Sequence, residues 1–211
     1  MQFSFIPTDV ISKVISNVDF SNKHYQLALS LVVINPTIWN VVARLEYKHR
    51  IFSKITGSPK RACYGLAITI FTLGLIRDYY FKLGGCLEQN HNVGFLGSFW
   101  VKALGGLCFA AGQTLVLSSM YALGITGTYL GDYFGLLKEE RLTGFPFNTC
   151  EHPMYDGSSL SFLGVSLFYG SPAGILGSAF VKLVYSIAQQ FEGPFTSMIY
   201  AKRDEQRRAK K

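Results

Sequence analysis

Four apolar stretches separated by polar ones set the plan of this chain: residues 25–45, 61–81, 100–123 and 160–191. The first three each approach the roughly 20 residues that a membrane-spanning helix needs. Asn35-Pro36 interrupts the first, which predicts a kinked or partly inserted helix. The fourth is too long for one straight span, and Gly170-Ser171-Pro172-Ala173-Gly174 breaks it as the tip of a helical hairpin would. The arm before that break, residues 160–169, is short and is expected to penetrate only part of the bilayer. Ahead of these stretches, Val10, Ile11, Val14, Ile15 and Val18 recur at helical spacing behind a Thr8-Asp9 cap, predicting an amphipathic helix on the membrane surface or packed on the domain. The whole pattern predicts one all-α domain over residues 1–211, a polytopic membrane helical bundle. Residues 1–24 form its interfacial N-terminal helix and 201–211 a basic cytosolic tail.

Composition agrees with that plan. Of 211 residues, 49% are hydrophobic and only 16% charged, which fits a compact multi-span domain better than a soluble one. The formal charge of +7 gathers in residues 44–61 and 202–211, beside apolar segments, where an anionic lipid surface attracts it. Neither run sits in a nucleic-acid motif, so no nucleic-acid partner is expected. If residues 160–191 crossed once, the two basic runs would end on opposite faces. A hairpin puts both on one face with the loop 126–159, the cytosolic face by the positive-inside rule. Cys63, Cys86, Cys108 and Cys150 are scattered without a CxxC pair, which supports neither a disulfide framework nor a zinc site. Glycines 65, 74, 105, 106, 112, 164 and 177 fall in the apolar segments, as close helix packing in a membrane requires.

The loop 126–159 is the most polar part of the chain. Asp132, Lys138, Glu139, Glu140, Arg141, Glu151, His152 and Asp156 alternate there with Tyr129, Tyr133, Phe134, Phe145, Phe147 and Tyr155. Carboxylates and aromatic faces together suit a cationic ligand, through charge pairing and cation–π attraction, and equally suit a headgroup-level aromatic belt. His152 precedes Pro153, which biases it to an extended backbone ahead of the next helix. No metal spacing, GxSxG or phosphate loop appears, so hydrolase, metalloenzyme and nucleotide-driven readings lack support. Glu192 lies near the membrane end of an apolar helix, where an ionisable group is expensive unless paired or working. Lys182 sits well inside the same helix and receives no role from the sequence.

Three segments, VLSSMYALGITGTYLGDYFGLLKEERLTGFPFN (116–148), HPMYDGSSLSFLG (152–164) and EGPFTSMIYAKRD (192–204), closely resemble the phosphatidylethanolamine N-methyltransferase family. NPTIWNVVARLEYKHR (35–50) and GSPKRACY (57–64) extend the match over most of the chain. The likeness is strongest to the fungal branch, which carries out the last two methylations leading to phosphatidylcholine. It implies S-adenosylmethionine as methyl donor, membrane phospholipids as substrates, no metal, no obligate protein partner, and the endoplasmic reticulum membrane, with a mitochondrial membrane as the alternative. It also implies two cofactor contacts. A Gly-x-Gly element corresponds to Ala110-Ala111-Gly112, with Ala110 in place of the first glycine. A Glu-Glu pair corresponds to Glu192-Gly193, with Gly193 in place of the second glutamate. A His-Pro-x-Tyr-x-Gly loop, shared with isoprenylcysteine carboxyl methyltransferases, matches His152, Pro153, Tyr155 and Gly157.

On this reading Glu192 pairs with the cofactor's amino group, Gly112 lets the cofactor approach the third helix, and His152 and Tyr155 position it. Asp132, Glu139 or Glu140 handles the headgroup amine and its proton. The alternatives are an enzyme that methylates a prenylated cysteine carboxylate and a non-catalytic lipid-binding scaffold.

Overall fold

Helix boundaries in this protein fall where the sequence supplies its own caps. The computed structural model describes residues 12, 14–91, 93–140 and 142–209. Helix α1, Lys23–His49, begins at Asn22, whose side chain accepts a hydrogen bond from the Tyr25 N–H at 2.9 Å. It runs through Pro36 and ends at Arg50, which takes a left-handed conformation with φ 56°. The short α2, Ile51–Thr56, starts on the fully buried Glu46, whose carboxylate accepts from the Phe52 N–H at 2.8 Å and from the Ser53 hydroxyl. Helix α3, Pro59–Tyr80, continues into a π-helical turn, Phe81–Leu87. Helix α4, Phe99–Thr128, carries a break at Gly124, with φ 64° and ψ 178°. Helices α5, Pro153–Tyr169, and α6, Pro172–Arg208, complete the bundle.

The hairpin expected from the fourth apolar stretch is present. Gly170, at φ 63°, ends α5, and the Ser171 N–H reaches back to the Ser166 carbonyl at 3.0 Å, the long bond of a Schellman cap. Ser171 then caps α6 by accepting from the Gly174 N–H at 3.1 Å, with Pro172 in the first turn. The turn is tighter than the five-residue break, since Pro172, Ala173 and Gly174 already belong to α6. The short first arm is corrected: α5 starts at Pro153, not at residue 160, and its 17 residues reach about 25 Å at 1.5 Å per residue. His152 precedes it at φ −127° and ψ 64°, outside the helical region but short of the extended backbone expected before proline.

Two further expectations meet the structure differently. Of the N-terminal helix, Thr8, Asp9, Val10 and Ile11 lie outside the described residues; helix is seen at Ser12 and through Val14–Ser16, and the chain turns again at Phe20 and Ser21 before α1 begins. The basic tail is the end of α6, which stays helical to Arg208, and Arg203 donates to the Lys138 carbonyl at 2.5 Å. Arg50 likewise donates to the Phe134 carbonyl at 2.6 Å. Both basic runs therefore meet the 126–159 loop at one end of the bundle, as the hairpin demanded. At the other end the Tyr25 hydroxyl donates to the Ala173 carbonyl at 2.8 Å, and the Ser171 hydroxyl to the Gly85 carbonyl at 2.7 Å.

Small residues decide which helices touch. Helix α4 packs antiparallel along α5 through Gly105, Gly112, Gly157 and Gly164, with the Gly112 and Gly157 backbones in direct approach. Helices α3 and α4 are hardly in contact, and a cavity of about 820 Å³ opens between them. Large apolar side chains such as Ile68, Trp100, Leu104, Leu107, Leu183 and Ile187 are exposed and lie outside the cavity lining. Among the described residues, Lys23–His49 and Phe99–Phe134 are long and apolar enough to cross a membrane unaided. The fold is thus an all-α bundle of membrane type.

Candidate active site

The cavity is walled by α1, α3, α4, α5 and α6, and its chemistry gathers around Glu192. Helix α6 presents this carboxylate to three donors from two other helices. Trp39 Nε1 and Asn40 Nδ2 of α1 both donate to Oε1, the latter at 3.2 Å, and the Tyr155 hydroxyl of α5 donates to Oε2 at 2.6 Å. Asn40 Nδ2 is steadied by a second bond within α1, to the Pro36 carbonyl one turn back at 3.1 Å. Tyr155 packs edge-on against Tyr185, with ring centroids 5.1 Å apart, and against His152 at 6.4 Å. One turn along α6, Thr196 donates to Asp132 at 3.0 Å, and Tyr133 stacks on Phe195 at 4.9 Å. The loop is pinned there by Lys138, whose ammonium donates to the Ala122 carbonyl at 3.0 Å beside the Gly124 break.

Of the residues given a catalytic or cofactor role from sequence, Asp132, His152, Tyr155 and Glu192 line this cavity together. The others do not. Gly112 faces α5: a Cβ there would stand 2.5 Å from the Gly157 carbonyl oxygen and the Ser161 hydroxyl, so α5 occupies the space where a cofactor was expected to approach. Gly157 makes the reciprocal contact with Gly112. Ala110 and Ala111 are exposed and do not line the cavity, and Gly193 is also outside the lining. Glu139 and Glu140 are exposed on the surface away from the cavity, so Asp132 is the loop acid that the fold delivers. Lys182, left without a role by the sequence, pairs with Asp156 at 2.5 Å across the hairpin, also outside the cavity.

Trp39, Asn40, Thr196 and Tyr185 complete the site without having been singled out. Trp39 and Asn40 were visible only as part of the matching NPTIWN segment, and nothing in their own spacing points to a residue more than 150 positions away. Two cavity residues hold polar atoms without partners, Asn35 Oδ1 and Thr128 Oγ1. Buried polar atoms are costly when unpaired, so a polar ligand fits this chamber.

Residues 100–203 match the family described as phospholipid methyltransferase. Over 196 residues the chain is 50% identical to the phosphatidyl-N-methylethanolamine N-methyltransferase of Saccharomyces cerevisiae, covering 93% of this chain and 94% of that protein. The chain belongs to the phospholipid methyltransferase family. The enzyme of the same name from Emericella nidulans is 51% identical over 190 residues, 90% of this chain and 92% of that one. The phosphatidylethanolamine N-methyltransferase of Homo sapiens is 40% identical over 190 residues, with 90% and 94% covered. No solved structure matches the chain. Family membership makes this chain an enzyme that transfers methyl groups. Its relatives match nearly end to end, so the likeness includes the α1 and α3 walls of the cavity as well as the 100–203 region.

Proposed function

We propose that this enzyme methylates phosphatidyl-N-methylethanolamine and phosphatidyl-N,N-dimethylethanolamine to phosphatidylcholine, with S-adenosylmethionine as donor, in the endoplasmic reticulum membrane. The observation that carries the reading is the convergence of Trp39, Asn40 and Tyr155 on Glu192 inside a chamber whose walls are mostly apolar. Three donors to one carboxylate fix its orientation and satisfy both of its oxygens, so that it stands ready to receive a cation.

The donor supplies an electrophilic methyl group on a positively charged sulfur. In-line displacement by an amine needs alignment and an unprotonated nucleophile, and no covalent enzyme intermediate. Glu192 and Asp132 would hold cationic groups, the ammonium of the donor's amino-acid part and that of the lipid headgroup. Asp132 stands closest to the role of receiving the amine proton, because it lines the cavity while Glu139 and Glu140 do not. His152 and Tyr155 shape the wall between them, and the aromatic faces of Trp39, Tyr155 and Tyr185 suit a nitrogen that becomes more alkylated with each turnover. Within the Gly-x-Gly counterpart, Gly112 then serves the α4–α5 contact that forms the chamber's back wall.

Purified protein in vesicles, supplied with methyl-labelled S-adenosylmethionine and either phosphatidyl-N-methylethanolamine or unmethylated phosphatidylethanolamine, tests the reading. Label in phosphatidylcholine from the first lipid is the expected outcome. Label confined to unmethylated lipid would reassign the substrate, and none in lipid with the fold verified would overturn the assignment.

A further inference from the structure

The cavity is electrically lopsided. Its end near the 126–159 loop is lined by Glu192, Asp132 and Glu151 against the single ammonium of Lys138, which is committed to a carbonyl. Its other end is lined by Arg77 and Lys82 against Asp78 alone. Arg77 is buried, 8% exposed, on a helix read as membrane-embedded, where an arginine is costly and rarely idle. Its acid partner is its own neighbour: Nε and Nη2 both lie 2.9 Å from Asp78 Oδ1, a contact that ties no helix to another. The cross-helix bond is Nη1 donating to the Tyr185 hydroxyl, and the guanidinium lies 5.0 Å over the Phe162 ring. These contacts use three of five N–H groups and leave one on each terminal nitrogen.

Tyr185 also packs against Tyr155, which donates to Glu192, so the arginine and the glutamate are linked through two tyrosines. Along α6, Tyr185 and Glu192 are seven residues apart, about 10 Å of helix rise. We propose that Arg77, held in place by Asp78 and Tyr185, binds the phosphodiester of the lipid substrate while its amine lies at the Glu192 and Asp132 end. The inference rests on the lipid-methylation reading above and adds to it the anchor of the headgroup. A zwitterionic headgroup carries an anion and a cation a short distance apart, and the cavity offers the complementary pair in that order. The guanidinium's planar fork matches phosphate oxygens better than an ammonium does. The acyl chains then leave through the gap between α3 and α4, past Phe71, Gly74 and Leu117.

The test compares two lipids within each enzyme: phosphatidyl-N-methylethanolamine, and an analogue with the same acyl chains and the same N-methylaminoethyl group in which an uncharged ether linkage replaces the phosphodiester. The ratio of their kcat/KM values does not depend on how much protein is folded. The wild type should favour the phosphodiester by about 10- to 100-fold, the range of a charge-assisted hydrogen-bonded contact. Arg77→Gln should bring the ratio close to one by raising KM for the phosphodiester lipid, leaving S-adenosylmethionine affinity within about twofold, and Arg77→Lys should recover part of it. An unchanged ratio in Arg77→Gln, or a wild-type ratio near one, overturns the proposal. So does a fall in S-adenosylmethionine affinity with the ratio kept, which would give Arg77 to the donor's carboxylate. If Arg77→Gln does not fold, Arg77→Lys and Tyr185→Phe decide: a reduced ratio supports the anchor, and an unchanged ratio in both overturns it. A wild type that labels neither lipid defeats the methyltransferase reading and this inference together, whereas failure of Arg77 alone leaves that reading standing.

Discussion

Helix α4 has two neighbours and treats them in opposite ways. Against α5 it presents glycines so close that a single methyl group would collide with backbone: at Gly112 a Cβ would stand 2.5 Å from the Gly157 carbonyl oxygen, and at Gly105 2.6 Å from the Phe168 nitrogen. Against α3 it presents Phe109, Gln113, Leu117 and Met120 across an open chamber. In a bilayer, lipid tails compete with apolar side chains for every helix surface, so helices associate where small residues let their backbones meet. The glycine face makes a fixed wall, and large side chains without such a seam leave room for a substrate. One helix thereby serves as both scaffold and pocket lining.

The contrast is broken most severely at its tightest point. Gly112→Val is expected to cost about 3 kcal/mol or more, the scale of severe overpacking, because the collision is with the Gly157 carbonyl and not with a flexible side chain. Folded yield and thermal midpoint in detergent should fall, and donor and lipid binding should fail together. Loss of donor binding alone, in a fully stable variant, would return Gly112 to the cofactor role.

The open side is sharpened by Glu192→Gln. The amide can still accept from Trp39 and Asn40, so stability should change little, while donor affinity is expected to drop by about tenfold and turnover by more. Isothermal titration with S-adenosylmethionine beside lipid kinetics checks this, and an equal loss of lipid affinity would count against the assigned role.

A subtler comparison sits in one dipeptide. Gly105→Ala should destabilise, whereas Gly106→Ala meets nothing within 4 Å and should be neutral or stabilise by up to about 1 kcal/mol through helix propensity. Thermal midpoints of the pair would show whether the seam has one face. If both lose stability alike, it does not.

The smallest effect lies far from either wall. Asn22 donates to Glu88 at 2.9 Å and the His24 ring nitrogen lies 2.9 Å from it, and these contacts hold the Glu88 carboxyl below its ordinary value. A carboxyl lowered in the folded state adds stability above its unfolded value, near 4.5, and that stability is lost as pH falls through the folded value. Glu88→Gln should therefore melt slightly below the wild type at neutral pH and converge with it in acid. A gap that widens on acidification would reverse the sign.

These outcomes bear on what the sequence could disclose. The hairpin was legible because Gly170, Ser171 and Pro172 contain their own cap, turn and helix start, all local. The length of α5 was not, because hydropathy falls before residue 160 while the helix starts at Pro153, whose preceding residue marks the boundary more sharply than apolarity does. Glu192 and Tyr155 could be suspected from charge placement and from a matching loop. The role of Gly112 could not, since a glycine in an apolar segment reads alike whether it faces lipid, cofactor or another backbone. Trp39 and Arg77 belong to the site only through contacts 153 and 108 positions away, and no local pattern encodes those separations.

Helix α6 is a ruler. On one unbroken rod of 37 residues it fixes the hairpin cap at Ser171, the tyrosine at 185, the carboxylate at 192, the hydroxyl at 196 and the loop clasp at Arg203. Each residue advances the helix by about 100° and 1.5 Å, so inserting or deleting one between Tyr185 and Glu192 swings every later mark to a different face. Side chains along this rod can be exchanged one at a time, but their count cannot change. The spacing of these positions is as much a part of the enzyme's chemistry as their identity.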